Sequence, residues 1–199
     1  MTGLKMVIGG LGFLLGGGIL LVQLGAQDST TIGKARQQGS LQASILLEES
    51  GRAAREMATD EMFYSGERFR LKLRSDRDGY VYVVLRDSQG QTQLIYPTKA
   101  DRVSENWIDR KRPQSIPESD FFRFDENAGT EQMWVIVSSR RLADLDRVSR
   151  DGLALDVSAL RRHIGKDPDE SKGIDRTAGE NVGSAEKSVL PLRIIHLPR

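Results

Sequence analysis

Two carboxylates have the most direct capacity for chemistry in this sequence. Asp125 and Glu131 lie close together in the chain, and two acidic groups in different environments across a substrate can act as acid and base. They predict, as one alternative, a carboxylate-dependent hydrolase. Residues 127–129 between them read Asn-Ala-Gly, a turn signal. Turn capping and solvated charge therefore explain the same two side chains more simply.

A second acidic pair resembles the start of a calcium-binding loop. Asp76 and Asp78 are two positions apart and precede Gly79, and carboxylates at this spacing can converge on a hard cation. The bidentate Glu that completes such a loop is absent. The pattern favours a hairpin turn, and we expect no metal site here.

The content of cysteine and histidine excludes several classes of chemistry. The chain has no cysteine, and its two histidines are His163 and His196, so thiolate nucleophiles, Cys-type zinc sites and multi-histidine centres are excluded. The sequence has no Gly-x-Ser-x-Gly nucleophile motif, and neither histidine lies in the context of a nucleophile. We expect His163 near a helix end and His196 along a final strand. The sequence predicts no catalytic residues, no cofactor and no enzyme activity.

Aromatic and basic side chains form the predicted binding surface. Tyr96 ends a predicted strand, and Trp107 lies in the connection that follows. Both rings offer large contact areas with polar tips, as in carbohydrate- or glycan-binding modules. Arg110 and Arg112 follow in the same connection and can contact anionic groups. Core packing of the aromatic rings and solvation of the arginines are the alternatives.

The overall charge argues against nucleic acid as a partner. The 199 residues include 29 Lys and Arg against 28 Asp and Glu, a formal net charge of +1. A nucleic-acid binder carries a strong basic excess or a one-sided basic face. The length fits one medium domain with an appendage.

Residues 1–26 have the pattern of an export signal. Lys5 precedes an apolar run over residues 6–24, and Ala26 is a small residue where signal peptidase requires one. The same run is long enough for a hydrophobic helix that spans a bilayer. We expect a periplasmic or secreted protein if the segment is cleaved, and an inner-membrane anchor through residues 6–24 if it is retained. The membrane is otherwise not an expected partner.

The remaining chain has the hydrophobic patterns of a β-rich domain. A polar linker over 27–40 precedes a single domain over 41–199. Alternation predicts half-buried strands at 41–47 and 69–73, and continuous apolar runs predict core strands at 80–85 and 131–137. We expect strands 69–73, 80–85 and 91–96 to form a meander.

The late part of the domain departs from the strand pattern. Apolar residues recur at helical spacing between 141 and 165, which predicts one or two short helices. Residues 166–188 are rich in small and charged side chains, so we expect disorder there before a closing strand at 189–197. The predicted fold is all-β, an antiparallel β-sandwich, immunoglobulin-like or related, of about seven or eight strands. Its helical and disordered insertion spans about 141–188.

Several short blocks follow one another along the chain: Phe63-Tyr64-Ser65-Gly66-Glu67-Arg68-Phe69, Asp78-Gly79-Tyr80-Val81-Tyr82-Val83, Leu94-Ile95-Tyr96-Pro97, Ile116-Pro117, Phe124-Asp125, Gly129-Thr130-Glu131 and Val135-Ile136-Val137-Ser138. In this order they resemble a bacterial family, domain of unknown function 4384. The resemblance extends over roughly Leu41 to Leu142. Glu67 departs from it, since the family usually has Asp after the Gly.

The resemblance implies an accessory role. Members of the family are often exported, or joined to kinase and caspase-like protease domains, and no agreed catalytic residues accompany them. With the export signal and the missing catalytic groups, the resemblance predicts a noncatalytic accessory or protein-interaction domain of the bacterial cell envelope. Its partner is expected to be an envelope protein.

Overall fold

The computed structural model describes residues 36–38, 41–49, 52–98, 106–165 and 186–199. The chain divides into two units, Met1–Thr31 and Ile32–Arg199, and all the described residues belong to the second. The expected N-terminal signal or hydrophobic helix over 1–26 and most of the expected disordered stretch lie outside the described residues. The helices found in the described residues are too short and too polar to span a bilayer.

Strands dominate the described chain. In chain order the elements are β1 (Arg36–Gln38), β2 (Leu41–Leu47), β3 (Arg55–Met57), β4 (Met62–Tyr64), β5 (Arg68–Ser75), β6 (Gly79–Arg86), β7 (Thr92–Tyr96), β8 (Trp107–Ile108), β9 (Gln114–Ile116), β10 (Phe122–Arg123), β11 (Gly129–Ser138), α1 (Ala143–Asp151), α2 (Val157–Ile164) and β12 (Lys187–Leu197). The all-β prediction with short late helices is confirmed.

The strands form two sheets. Sheet 1 has the order β1-β2-β5-β10, with β3 beside β2 and β9 beside β5, and all of its pairs are antiparallel. Sheet 2 has the order β4-β12-β11-β6-β7, with β8 beside β6. Its pairs are antiparallel except for β4 and β12, which run parallel.

The main core lies between the inner faces of the two sheets. It collects every second residue of the long strands, as the two-residue side-chain period of a strand requires. Sheet 1 contributes Leu41, Ala43, Ile45, Leu47, Phe69, Leu71 and Leu73, and sheet 2 contributes Val81, Val83, Met133, Val135, Val137, Leu190, Leu192 and Ile194. This arrangement is a β-sandwich.

A second apolar cluster covers part of the outer face of sheet 2. Tyr82 and Trp134 project there and pack with Leu145 of α1 and Leu160 of α2. Asp156 caps α2, because its side chain accepts a hydrogen bond from the backbone N–H of Ser158 at 2.9 Å. The helices explain why β6 and β11 are apolar on both faces, as their continuous runs predicted.

The predicted meander is wrong in its first strand. β5 belongs to sheet 1, whereas β6 and β7 form a hairpin in sheet 2. The turn after β5 therefore carries the chain from one sheet to the other. A strand with one buried face has the same alternation in either sheet of a sandwich, so periodicity alone does not assign it.

Several short strands lie in segments expected to be irregular. β1 lies within the expected linker 27–40, and β8 and β9 lie in the long connection after β7. Among the described residues of 48–62, β3 and the first residue of β4 are strand. These strands have only two or three residues, too few to show a period. They account for the larger number of strands in the described residues.

Candidate functional site

A cluster of polar side chains lies at one end of sheet 2. Glu131 shares the inner face of β11 with Met133 and Val135, and His196 shares the inner face of β12 with Ile194. Gly129 pairs with His196 across the two strands, which places the glutamate and the histidine diagonally adjacent. Asp125 reaches them from the connection between β10 and β11. We call Asp125, Glu131 and His196 the polar cluster.

The three side chains of the polar cluster are in close proximity. Each offers one ligand atom, and these atoms all lie within 4.8 Å of one another. Nε2 of His196 lies 3.2 Å from Oε1 of Glu131. His196 is fully buried and Glu131 is 4% exposed, whereas Asp125 is exposed to solvent. The inner part of the cluster, formed by Glu131 and His196, is therefore buried, and the side formed by Asp125 faces solvent.

Ser65 and the ring of Phe124 fix the orientation of the histidine. Oγ of Ser65 donates to the carbonyl oxygen of Leu197 at 3.3 Å and lies 3.4 Å from Nδ1 of His196. Because a hydroxyl has a single proton, we assign the ring proton to Nδ1, which donates to Ser65. Phe124 stacks on the imidazole with 5.2 Å between ring centroids.

The electrostatic environment of Glu131 is unfavourable to its negative charge. The pKa of its carboxyl is raised to about 7, first by burial and then by the negative charges of Asp125 and Asp87. No lysine or arginine forms an ion pair with Glu131 among those found in the described residues. A cation at this position would neutralise the repulsion.

Contacts between two turns hold Asp125 in place. Its Oδ1 accepts a hydrogen bond from the backbone N–H of Asn127 at 2.8 Å. The carbonyl oxygen of Asn127 in turn accepts from Ser88 at 2.8 Å. Gly129 makes this approach possible, since a Cβ there would lie 2.7 Å from Cβ of Ser88. The β6–β7 turn thus supports the loop that carries Asp125.

The polar cluster and the adjacent Ser65 contain the groups that a hydrolase would need, but their hydrogen bonds do not fit nucleophilic catalysis. The structure brings Asp125 and Glu131 together, and it lines up Ser65, His196 and Glu131, the groups of a nucleophilic triad. The hydroxyl of Ser65, however, donates to a backbone carbonyl and not to the imidazole. Two concave sites of the described residues lie instead on sheet 1, around Lys72 and around Phe121. The geometry favours binding of a cation over nucleophilic attack.

The sequence pointed to only part of the polar cluster. Asp125 and Glu131 were singled out, but Ser65 and His196 are 131 residues apart and share no local motif. One signal was available: Glu131 occupies the same strand face as Met133 and Val135. A charged residue at an inward position of a core strand needs a partner or a function.

Of the four residues of the predicted binding surface, three are exposed in the structure and one is buried. Trp107 is 43% exposed, and Arg110 and Arg112 are exposed in the loop after it. Tyr96 is only 3% exposed and belongs to the main core. The prediction that Tyr96 belongs to the binding surface is therefore wrong, because its ring lies on the inward face of β7 and is buried. Ligand binding at the other three stays a prediction.

The remaining candidates have structural partners. Asp78 accepts a hydrogen bond from the backbone N–H of Arg110 at 2.8 Å, so it fastens the turn to the following loop. His163 lies in the last turn of α2, as expected, with its Nε2 2.9 Å from Asp144 of α1. Burial tends to raise the pKa of Asp144, but the hydrogen bond and charge of His163 outweigh it and the pKa is lowered.

An exposed apolar strip lies on the outer face of sheet 2, at the edge that the helices leave uncovered. Met62 pairs with Ile195 and Tyr64 pairs with Leu197 across β4 and β12. Their exposed fractions are 61% for Met62, 44% for Tyr64, 38% for Ile195 and 36% for Leu197. We call these four residues the apolar strip. Contiguous exposed apolar surface of this kind marks interaction sites.

Comparison with known protein families gives a match over a segment that contains part of the polar cluster and part of the apolar strip. Residues 62–141 match Domain of unknown function (DUF4384). The resemblance is confirmed over those residues, from β4 to the start of the helical segment, whereas it was expected to begin near Leu41. The match includes Asp125 and Glu131 but not His196. Neither a curated protein nor a solved structure matches the chain.

Proposed function

We propose that this chain is a noncatalytic protein-interaction module of the bacterial cell envelope, and that the apolar strip binds its partner. The observation that carries the proposal is the pairing of Met62 with Ile195 and of Tyr64 with Leu197. This pairing sets four exposed apolar side chains side by side on one sheet surface. The export pattern of residues 1–26 supports the envelope as the location.

Charges beside the apolar strip indicate the chemistry of the partner. Arg193, Ile195 and Leu197 occupy alternate positions of β12, so they lie on the same side of the strand, and Arg199 follows just beyond its end. The side chain of Arg199 is 69% exposed and lies 3.8 Å from Glu67. A partner that places an apolar surface with acidic groups at its border complements this arrangement.

The edge of sheet 2 offers a second means of attachment. β4 is the terminal strand of the sheet and, within the described residues, pairs only with β12. An unpaired strand edge can accept an extended segment of another chain through backbone hydrogen bonds. An extended, acidic and apolar segment of an envelope protein is the partner that fits both features.

The test compares variants of the full-length chain as bait in detergent extracts of the cell envelope. Ile195→Asp places a charge in the centre of the apolar strip, and Leu153→Asp is the matched control because Leu153 is 53% exposed beyond α1. We expect one protein to be retained by the wild type and by Leu153→Asp but at least tenfold less by Ile195→Asp. Retention should also fall with salt.

Two results would contradict the proposal. One is equal retention by both variants, which would place any interaction away from the apolar strip. The other is turnover in a hydrolase substrate screen that disappears in Glu131→Gln, which would make the chain an enzyme. Circular dichroism of both charge variants separates lost binding from lost folding.

A second candidate is a carbohydrate- or glycan-binding module. The exposed ring of Trp107 favours it, because that ring packs against Tyr80 in a T-shaped arrangement, with 4.8 Å between centroids, and remains 43% exposed. Binding on a glycan array that is lost in Trp107→Ala and kept in Ile195→Asp would favour this function over protein interaction.

A further inference from the structure

We propose that the polar cluster binds a divalent transition-metal ion of the class of Zn²⁺ or Mn²⁺, with Asp125, Glu131 and His196 as protein ligands. The site is independent of the apolar strip, since its side chains project from the inner face of sheet 2 and from the β10–β11 loop. It would join β11, β12 and that loop through one ion.

The separations of the ligand atoms suit a common ion. Metal–nitrogen and metal–oxygen bonds of about 2.1 Å at an angle near 100° place the two ligand atoms about 3.2 Å apart. Nε2 of His196 and Oε1 of Glu131 are separated by 3.2 Å. The carboxylate of Asp125 lies on the side that faces solvent, and its ligand atom is within 4.8 Å of the other two. Its oxygens accept hydrogen bonds from Asn127 and keep further lone pairs for an ion.

The buried imidazole supplies the second, independent observation. Nε2 of His196 is buried and makes no hydrogen bond within the described residues, although it lies close to Glu131. With the ring proton assigned to Nδ1 and Glu131 ionised, the Nε2 lone pair faces a carboxylate oxygen, and two acceptors in contact repel each other. A cation between them removes the repulsion and gives the buried nitrogen a partner.

The donor set selects the class of ion. One imidazole and two carboxylates match transition-metal sites, whereas calcium and magnesium prefer oxygen ligands alone. Asp87 adds negative charge nearby, but its Oδ1 already accepts from the backbone N–H groups of Gln89 and Gln91. It therefore contributes charge without being required as a ligand.

The surroundings of His196 have the support expected for a metal ligand. Histidines that bind metal usually donate their second ring N–H to an oxygen, which fixes the tautomer and ring orientation. Oγ of Ser65 provides that oxygen at 3.4 Å. Phe124 packs along the ring face and restricts its rotation.

Calorimetric titration of the full-length chain tests the proposal directly. The chain carries no polyhistidine tag, is purified in detergent and is stripped with EDTA before Zn²⁺, Mn²⁺ or Ca²⁺ is added. We expect one Zn²⁺ or Mn²⁺ per chain, weaker Ca²⁺ binding, and an affinity at least tenfold lower in Asp125→Asn. Glu131→Gln should weaken binding further, and the bound ion should raise the melting temperature.

Two controls locate the ion. Glu126→Gln changes an exposed acid next to Asp125 but outside the polar cluster, and His163→Gln removes the other histidine. Both should bind like the wild type. The proposal is overturned if the wild type binds neither Zn²⁺ nor Mn²⁺, if Asp125→Asn binds with unchanged affinity, or if either control loses binding equally. Asp125 is exposed, so its variant keeps the test valid even if Glu131→Gln fails to fold.

Discussion

At the polar cluster, the proton affinity of a carboxyl group depends on whether its side chain is exposed or buried. Asp125 and Asn127 satisfy each other in an exposed turn, as the sequence indicated. Glu131 is six residues from Asp125 in the sequence but lies in the interior, so its proton affinity differs. The sequence identified both carboxylates, but not Ser65 or His196, because strand pairing across the whole chain brings those two groups to the site.

Glu131 should make stability fall with rising pH in the metal-free protein. Its folded pKa of about 7 exceeds its ordinary value of 4.5, so the folded state holds the proton over a range in which the unfolded chain has lost it. The contribution of Glu131 to stability is therefore fully present below about pH 4.5 and is lost, by up to about 3 kcal/mol, as pH rises through about 7. The groups that face Glu131 are His196, Asp125 and Asp87.

Urea unfolding in EDTA at pH 5 and pH 8 measures this effect. The fall in the free energy of unfolding between the two pH values should be smaller in Glu131→Gln than in the wild type, because glutamine does not titrate. Glu126→Gln, which alters an exposed neighbour, should keep the wild-type fall. An equal fall in Glu131→Gln and the wild type would show that the buried carboxyl does not carry the pH dependence.

At the scale of elements, hydrophobic periodicity predicted the long strands and both helices. Alternation identified β2 and β5, and continuous apolar runs identified β6 and β11, whose outer faces the helices cover. It did not predict that β5 and β6 lie in different sheets, because both sheets of a sandwich impose the same period. The parallel pairing of β4 with β12 was also not predicted, since it joins segments from distant parts of the chain.

One hydroxyl connects the helical layer to sheet 2, and its removal should loosen that layer. Tyr82 donates to Oδ1 of Asp146 at 2.7 Å and accepts from the backbone N–H of Leu142 at 3.0 Å. Tyr82→Phe leaves both groups without this partner and should lower the free energy of unfolding by about 1–3 kcal/mol. Tyr64→Phe, at a 44% exposed ring, is the control and should change little in the same denaturant titration. Equal effects would contradict the assigned contact.

At the scale of the whole molecule, the feature that the described sandwich presents to solvent for a partner is the apolar strip. The export pattern in residues 1–26 predicts that this surface lies outside the cytosol. Alkaline phosphatase fused after Arg199 should be active in bacteria, since the reporter folds only in an oxidising compartment outside the cytosol. Deletion of residues 1–26 should abolish the activity while the fusion protein is still made. Activity that survives the deletion would contradict export through this segment.

The most direct test of the interaction function is photo-crosslinking in living cells. A photoreactive phenylalanine analogue replaces Ile195 in the apolar strip, and in a second variant it replaces Leu153, which is exposed outside the strip. We expect one discrete adduct with an envelope protein from position 195 and none from position 153. Absence of an adduct at 195, or the same adducts from both positions, would contradict it.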